Sequence, residues 1–308
     1  MATNLTVSSN YAGKAAGEII GKSFRETNTL SRGLVNVLPD IDYKISLRLI
    51  SYADGRTDYT CGFTPQGAVT LSEKVLEPKK IKNELEICKE DLRQIWSSAT
   101  MGFSAHNDRM PTDVEAALLG EILMDTAVAT EDDIWQGTDV DGSFAGFISL
   151  FNADGNVIKA GNGITSGSAA ITKSNVITEF QKVLNATPRS IRRKADLVYG
   201  ISENVARAFE DAYVDGAIAS GFGAAEFSIK YGSKTLEIID GLPDNTFVVY
   251  RKKNLNFGTG LLSDHNEIRT ADGEEYGRLD GQIRFKMVYT AGVQYANSDE
   301  IVWYLSTT

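Results

Sequence analysis

The C-terminal sequence GQIRFKMVY (Gly281–Tyr289) continues as TAGVQYANSDEIVWY (Thr290–Tyr304). In the first part, every second residue from Ile283 to Tyr289 is apolar or aromatic and the residues between are polar. This alternation predicts a half-buried β-strand, because successive side chains of a strand point to opposite faces. The second part has a glycine break, a polar turn and an apolar ending, Ile301–Leu305. We expect this ending to be packed or paired, since loose chain ends are normally polar.

The composition is that of a soluble globular protein with room for two lobes. The chain has 308 residues, 42% of them hydrophobic and 23% charged. Its net charge of -10 argues against a general nucleic-acid binder, which needs a basic surface for phosphates, but leaves open a container for DNA. Cys61 and Cys88 are too few for a disulfide framework. With no signal-like N-terminus and no membrane-length apolar run, we expect synthesis in a reducing cytoplasm and no membrane partner.

The N-terminal part contains a polar arm followed by a hairpin. Residues 1–37 have too few large apolar side chains to fold alone, so we expect a neighbouring subunit to hold them. Apolar and polar residues alternate over 41–49, Ala53-Asp54-Gly55 supplies a turn, and 59–63 is the predicted return strand, with a second turn at 65–67. An isolated hairpin is marginal, so a sheet covers it or it lies across a partner. A strand and then a short helix are predicted over 69–92.

The middle of the chain predicts a long helix and then a mixed second lobe. Pro111 opens a helix that we expect from Thr112 or Asp113 to about Ala129, and the acidic segment 131–146 interrupts it near a lobe boundary. The second lobe is predicted to contain a helix over 176–184 capped by Ser174 and stopped by Thr187-Pro188, a helix after Ser202, and strands near 196–199, 227–239 and 246–250.

No motif indicates catalysis, a cofactor or a metal. His106 and His265 lie in polar stretches, where we expect solvated side chains, and no Gly-x-Ser-x-Gly elbow is present. Asp139-Val140-Asp141-Gly142 resembles the start of a calcium loop, but position 148 is Ile where the pattern requires Glu, so a turn is expected. The glycine-rich segment 161–167 lacks the ending of a phosphate-binding loop. We therefore predict no catalytic residue, no cofactor and no metal ligand.

Basic clusters stand out in this acidic chain. They are Lys79-Lys80, Arg189, Arg192-Arg193-Lys194 and Arg251-Lys252-Lys253. Each cluster is either a solvated face or a surface that meets an acidic segment, such as 131–133, on a neighbour. The sequence leaves both interpretations open.

The order of these segments resembles that of tailed-bacteriophage major capsid proteins, whose Hong Kong ninety-seven-like fold is shared with encapsulin nanocompartments. Local similarities support the order: Ala186-Thr187-Pro188 after a helix, Lys253-Asn254-Leu255 followed by Gly258-Thr259-Gly260, Thr290-Ala291-Gly292-Val293, and Asp299-Glu300-Ile301-Val302. The resemblance implies an α+β fold with an N-terminal arm (1–40), an extended hairpin or E-loop (41–75), a peripheral domain with a spine helix (76–144 and 281–308) and an axial domain (145–280).

The resemblance also implies a function in assembly. The chain would form pentamers and hexamers of an icosahedral virion capsid that encloses double-stranded DNA, assembled in the bacterial host cytoplasm. Its main partner would be itself, with portal, separate scaffolding and decoration proteins as further partners. Candidate inter-subunit contacts are Phe24, Leu30, Asp54, Gly55, Arg56, Lys79, Lys80, Arg192 and Arg193.

Three alternatives remain open. One is an encapsulin shell around a cargo enzyme, which would have the same fold. Another is a soluble hydrolase built on the glycine-rich loop and the carboxylates of the second lobe. The last is another virion component, such as a tail or decoration protein, which the predicted spine helix and acidic turn disfavour.

Overall fold

The computed structural model describes residues 28–59, 61–62, 66–88, 112–160, 170–219, 230–231, 234–273 and 281–305. Phe24, His106, residues 60 and 63 of the predicted return strand and the glycine-rich segment 161–167 lie outside these residues.

Among the described residues, four strands precede the first helix, two strands lie among the helices, and seven strands follow the last helix. The helices are α1 (Thr112–Gln136), α2 (Phe147–Ala153), α3 (Val176–Ala186) and α4 (Glu203–Ala219). The strands are β1 (Asn36–Leu38), β2 (Ile45–Ala53), β3 (Ala68–Leu76), β4 (Lys79–Cys88), β5 (Ile158–Lys159), β6 (Leu197–Ile201), β7 (Lys230–Tyr231), β8 (Lys234–Ile238), β9 (Thr246–Arg251), β10 (Leu255–Gly258), β11 (Ile268–Asp272), β12 (Gln282–Tyr295) and β13 (Val302–Leu305). Short 3-10 turns cover Leu262–Asn266 and Ser298–Glu300.

The described residues belong to two compact units. The first takes its residues from 80–130 and 260–290, and the second from 27–79, 131–259 and 291–308. Both α1 and β12 supply residues to each unit.

The first unit is built on the first half of β12. β11 pairs with it in antiparallel fashion, with Ile268 opposite Met287, and β4 also pairs with β12. Ile87, Ile283 and Phe285 form the buried centre, against which apolar residues of α1 pack. The apolar residues that alternate in the sequence from Ile283 to Tyr289 are therefore the buried ones, and the predicted strand is confirmed.

The predicted break at Gly292 is wrong, because β12 continues through it to Tyr295. Gly292 pairs with Gly258 of β10. A β-carbon on Gly258 would lie 2.7 Å from side-chain atoms of Ile41 and of Leu76, and one on Gly292 would lie 3.0 Å from the Cα of Pro78. These glycines therefore permit close packing inside the second unit rather than a turn.

The second unit contains a six-stranded sheet in the order β5-β13-β9-β6-β8-β7. The C-terminal strand β13 pairs antiparallel with β9 and parallel with β5. Residues 301–304 are buried, as expected of an apolar chain end that must be packed. Phe180 of α3, Phe247 of β9 and Tyr304 of β13 belong to one buried cluster with residues of α4. Strands predicted near 196–199 and 246–250 are confirmed as β6 and β9.

A strand occupies part of the segment for which a short helix was expected. Residues 79–88 form β4, in which Ile81 and Ile87 are buried and most charged side chains lie on the surface. Apolar residues at every second position among charges favour a strand once β12 is available as a partner. The helix prediction is wrong here because it gave more weight to the charged residues than to this spacing.

Helix α1 begins at Thr112, as predicted, but extends to Gln136 rather than ending near Ala129. The acidic residues that suggested an interruption are helical, and Ile134 and Trp135 on the added turn are fully buried. The Gly137 N–H donates to the Asp133 carbonyl (3.0 Å) and the Gly146 N–H donates to the Gly137 carbonyl (2.8 Å), closing the loop after the helix.

At two helix starts, the observed capping contacts differ from the predicted ones. Asn175, not Ser174, precedes α3, and its Oδ1 accepts from the Thr172 N–H at 2.8 Å. Ser202 directly precedes α4, but its hydroxyl accepts from the Thr246 N–H at 3.2 Å and so connects the helix start to β9.

We expect Gly146→Ala to lower the free energy of unfolding by about 1–3 kcal/mol, because overpacking forces the backbone to shift. The added β-carbon would lie 2.5 Å from the Gly137 nitrogen and 2.6 Å from the Asp133 carbonyl oxygen. Urea denaturation of the unassembled chain measures the loss. Gly155→Ala is the control, since its β-carbon would meet nothing within 4 Å. Equal losses in the two variants would contradict the tight contact.

Candidate functional site

The most exposed secondary structure in the second unit is the hairpin formed by β2 and β3. The strands pair over nine residues each, from Ile45 opposite Leu76 to Ala53 opposite Ala68. Among the residues that the structure describes, neither strand pairs with a third strand. Such a two-stranded sheet is marginally stable by itself, so its base must hold it or a partner must cover it.

One face of the hairpin carries an apolar patch, which we call the hairpin patch. It consists of two cross-strand pairs, Ile50 with Leu71 and Tyr52 with Val69. Their side chains are 69%, 73%, 67% and 64% exposed, respectively. Contiguous exposed apolar side chains mark interaction surfaces, and an unpaired strand edge invites association. The hairpin patch is therefore the strongest candidate contact surface in the described chain.

The return strand predicted at 59–63 is wrong. Tyr59 lies outside any strand and is 91% exposed, whereas the observed return strand is β3. The first strand ends at Ala53, as the predicted turn requires, but the connection runs from residue 54 to residue 67. Aromatic alternation at 59–63 resembled a strand locally, yet the nine-residue match between β2 and β3 pairs far more backbone groups.

The predicted tip residues lie at the start of this connection. The Asp54 carboxylate accepts from the Arg56 backbone N–H (3.1 Å) and Nε (2.7 Å), and these bonds lower the pKa of Asp54. A β-carbon on Gly55 would clash with the backbone nitrogen of Gly67. Gly55 therefore lets the two ends of the connection approach each other.

A polar triad holds the base of the hairpin. Lys74 Nζ on β3 donates to Asp154 Oδ2 at 2.8 Å and lies 3.5 Å from the centre of the Tyr295 ring. The Tyr295 hydroxyl donates to the same Oδ2 at 2.8 Å. The lysine is the main reason that the pKa of Asp154 falls to about 2, and the buried position of Tyr295 beside this carboxylate raises the pKa of the tyrosine. The triad joins β3 to the end of α2 and the end of β12.

Apolar and backbone contacts reinforce the same base. Ile41 and Leu76 are buried beside Gly258, and the Ile41 N–H donates to the Thr259 carbonyl at 3.1 Å. Gln294 Nε2 donates to the Val75 carbonyl at 3.2 Å. The hairpin is therefore fixed at its base and exposed towards its tip.

The segment that includes Leu30 is held by a buried carboxylate that the sequence did not reveal. Glu131 is only 2% exposed and accepts from the Thr29 N–H (3.2 Å) and hydroxyl (2.5 Å). Trp135 Nε1 donates to the Thr29 hydroxyl at 2.8 Å. The sequence suggested the acidic segment 131–133 as a surface for a neighbour's basic residues. Glu131 of this segment is instead buried inside the subunit. The sequence signal that could have revealed this burial is the spacing of Glu131 and Trp135, which are four residues apart and so lie on the same face of a helix.

The remaining predicted contact residues are dispersed. Lys79 Nζ contacts Asp139 Oδ1 (3.3 Å) and the Val140 carbonyl (2.9 Å), where the sequence predicted a turn. Lys80 is exposed. Arg192 Nη2 donates to the Thr187 (2.7 Å) and Leu184 (3.1 Å) carbonyls and so caps the C-terminal end of α3.

No group of three or more His, Cys, Asp or Glu residues in the described chain could hold a metal ion. His265 is half-buried rather than solvated: its ring lies 4.8 Å from that of Tyr289, and burial lowers its pKa. Over the same residues, no helix combines the length and the apolar character needed to cross a membrane.

Comparison with known proteins identifies the fold. No family model and no curated protein sequence matches the chain. The capsid of a native GTA particle is 14% identical with a TM-score of 0.64, covering 95% of this chain and 94% of that chain. A structure from Mycobacterium phage Che8 is 11% identical with a TM-score of 0.61, covering 98% and 99%. The capsid of Myoviridae phage XM1 is 10% identical with a TM-score of 0.60, covering 96% and 99%.

These similarities extend over nearly the whole chain at low identity, so they establish the fold rather than descent from a named family. The chain has the α+β fold of these phage capsid structures, the Hong Kong ninety-seven-like capsid fold that the segment order predicted.

We expect the Lys74–Asp154 contact to stabilise the unassembled chain by about 1 kcal/mol near neutral pH, after allowance for solvent screening. Because folding lowers the pKa of Asp154 from 3.8 to about 2, this contribution is complete well above the unfolded pKa and is lost as pH falls through 2. The difference in free energy of unfolding between wild type and Asp154→Asn should therefore be clearly smaller at pH 2.5 than at pH 6. The exposed Asp58→Asn control should show no such change. A difference between wild type and Asp154→Asn that is as large at pH 2.5 as at pH 6 would contradict the assignment.

Proposed function

We propose that this protein is the major capsid protein of a tailed bacteriophage, a virion component that self-assembles in the bacterial host cytoplasm. The observation that carries the proposal is the full-length similarity of fold to phage capsid structures, together with a hairpin whose apolar patch is exposed in the isolated chain. The function would be assembly, with no catalytic step.

The hairpin patch supports the proposal energetically. Burial of a large apolar side chain contributes about 1.5–3 kcal/mol relative to full exposure. The four side chains of the hairpin patch are each about two-thirds exposed. Burying them against a neighbouring copy would therefore contribute several kcal/mol per contact. Repeated in every subunit of a shell, such a contact favours assembly strongly while the isolated chain remains folded.

Head-to-tail contacts of this kind join different surfaces of identical copies, and they close into rings when the rotation between copies permits. We infer that the rings are pentamers and hexamers of an icosahedral shell that encloses double-stranded DNA. In this proposal residues 1–40 form the arm, 41–75 the extended hairpin, 76–144 with 281–308 the peripheral domain, and 145–280 the axial domain. Portal, scaffolding and decoration proteins are the further partners.

The alternatives from the sequence receive less support. An encapsulin shell would use the same fold, but the solved structures described above come from phages and a GTA particle. The hydrolase interpretation relied on the glycine-rich segment 161–167, which lies outside the described residues, and on carboxylates of the second lobe. No solved structure described above is a hydrolase.

Electron microscopy of the expressed full-length chain and of particles from infected cells tests the proposal. Pentameric and hexameric capsomers in closed shells, with double-stranded DNA inside the particles from cells, are expected. Shells that contain a cargo enzyme would favour the encapsulin alternative, and a chain that forms no rings, tubes or shells under any assembly condition would contradict both.

The hairpin patch also gives a sharper test. We expect Ile50→Asp/Leu71→Asp to reduce particle formation at least about tenfold, because two carboxylates would have to be buried in the contact. Both side chains are already exposed, so the melting temperature of the unassembled chain should stay close to that of wild type. Sedimentation velocity measures the assembled fraction.

Ser51→Asp/Thr70→Asp is the matched control, because this cross-strand pair lies at the same height on the opposite face of the hairpin. The control should assemble like wild type. Equal assembly by both double variants would show that the hairpin patch is not the contact.

A further inference from the structure

A cluster of cations without described ion-pair partners lies at one end of the six-stranded sheet. Two tight turns meet there, one over 188–194 and one over 251–254, because β6 and β9 pair with Leu197 opposite Arg251. The exposed side chains of Arg189, Arg193, Lys194 and Lys253 and the half-buried Lys252 belong to these turns. We call these five residues the basic end.

The carboxylates nearest the basic end are already engaged. Asp196 accepts from Arg251 Nε at 3.1 Å and pairs with its Nη2 at 3.0 Å, and Glu300 pairs with Arg251 Nη1 at 3.1 Å. Arg251 and, to a smaller extent, Lys253 lower the pKa of Asp196, but none of the five residues of the basic end makes an ion pair within the described part of the chain. In a chain of net charge -10, such a concentration of positive charge fits an acidic partner.

A complementary surface lies on α4. Its exposed stripe carries four carboxylates, Glu203, Glu210, Asp211 and Asp215, against a single cation, Arg207. Arg207 pairs with Glu203 at 3.2 Å and Lys173 pairs with Asp215 at 2.8 Å. Lys173 also interacts with Asp211 at longer range, so Glu210 and in part Asp211 remain for a partner. We call these four carboxylates the acidic stripe. The half-exposed ring of Tyr213 lies beside it in the helix, and tyrosine and arginine are both enriched in protein interfaces.

The basic end and the start of the acidic stripe lie at opposite ends of β6. The basic turn precedes Leu197, whereas α4 begins at Glu203, just beyond the other end of the strand at Ile201, about 13 Å away. The helix then carries Glu210 and Asp211 two turns further from its start. A surface and its complement at different places on one chain allow a head-to-tail contact between two copies.

We propose that the basic end of one copy binds the acidic stripe of α4 on the next copy around a ring. The inference rests on the proposed function and adds to it the surfaces that set the rotation between neighbours. Arg192 belongs to the same turn but is excluded, since its guanidinium caps α3 in its own chain. The partner surface also differs from the acidic segment 131–133 suggested by the sequence, because Glu131 is buried.

Charge reversal provides the test in the full-length chain. Arg193→Glu/Lys194→Glu should reduce the assembled fraction in sedimentation velocity at least about tenfold, because like charges would then face each other. The combined variant, which adds Glu210→Lys/Asp211→Lys, should regain assembly because both signs are exchanged. Lys159→Glu, a reversal at an exposed cation of β5 outside both surfaces, is the matched control and should assemble like wild type.

A second measurement separates a lost contact from a misfolded subunit. Arg193→Gln/Lys194→Gln removes charge without repulsion, so its assembly should depend less steeply on salt than that of wild type, because screening weakens exposed charge pairs. Circular dichroism melts of the unassembled variants should stay close to that of wild type.

The outcomes distinguish this inference from the proposed function. If wild type and Lys159→Glu assemble and Arg193→Glu/Lys194→Glu assembles equally well, the basic-end contact is overturned while the capsid function stands. The basic-end contact is also overturned if the combined variant fails to regain assembly. It is overturned as well if Arg193→Glu/Lys194→Glu assembles normally but its particles retain duplex DNA less well than wild-type particles. A wild-type chain that forms no rings, tubes or shells overturns both.

Discussion

The pairing of β12 is the constraint on which the described fold depends. This strand supplies the partner for β11 and β4 in one unit and for β10 in the other. Its apolar residues recur at alternate positions up to Tyr289, which keeps one face buried throughout the first unit. A slip of one residue would move that whole set to the opposite face, so the register is strongly specified. Gly292 then allows β12 to approach Pro78 closely in the second unit.

The hairpin of β2 and β3, unlike β12, is largely exposed. Its base is fixed by Ile41, Leu76 and the triad of Lys74, Asp154 and Tyr295, whereas the patch towards its tip stays exposed. A monomeric protein normally avoids a long exposed strand edge, because it invites association. The proposed assembly function would use this combination, because such a subunit could fold alone and then bind its neighbours.

Sequence patterns predicted an element correctly where the alternation or spacing of its own apolar residues was enough to specify it. β12, β6, β9, the start of α1 and the buried chain end all follow from periodicity and local composition. The errors occur where a distant residue changes the outcome. Glu131 looked like part of an acidic turn, yet it is buried in α1 because Thr29, 102 positions earlier, donates two hydrogen bonds to it. The hairpin's return strand was misplaced for the same kind of reason, since pairing with β2 selected 68–76 over the locally plausible 59–63.

By itself, the sequence determined the strand that contains residues 283–289, the start of α1 and the burial of the C-terminal end, because hydrophobic periodicity is a local property of the chain. The class of fold followed from the resemblance of its segment order to that of capsid proteins. The sequence also identified the basic residues 189–194 and 251–253, but it could not show that they lie together. Only the tertiary structure decided that, through the pairing of Leu197 with Arg251, and only it revealed the hairpin patch and the triad beneath it. Surfaces are formed by residues distant in sequence, and their complementarity depends on strand register and loop closure rather than on local composition.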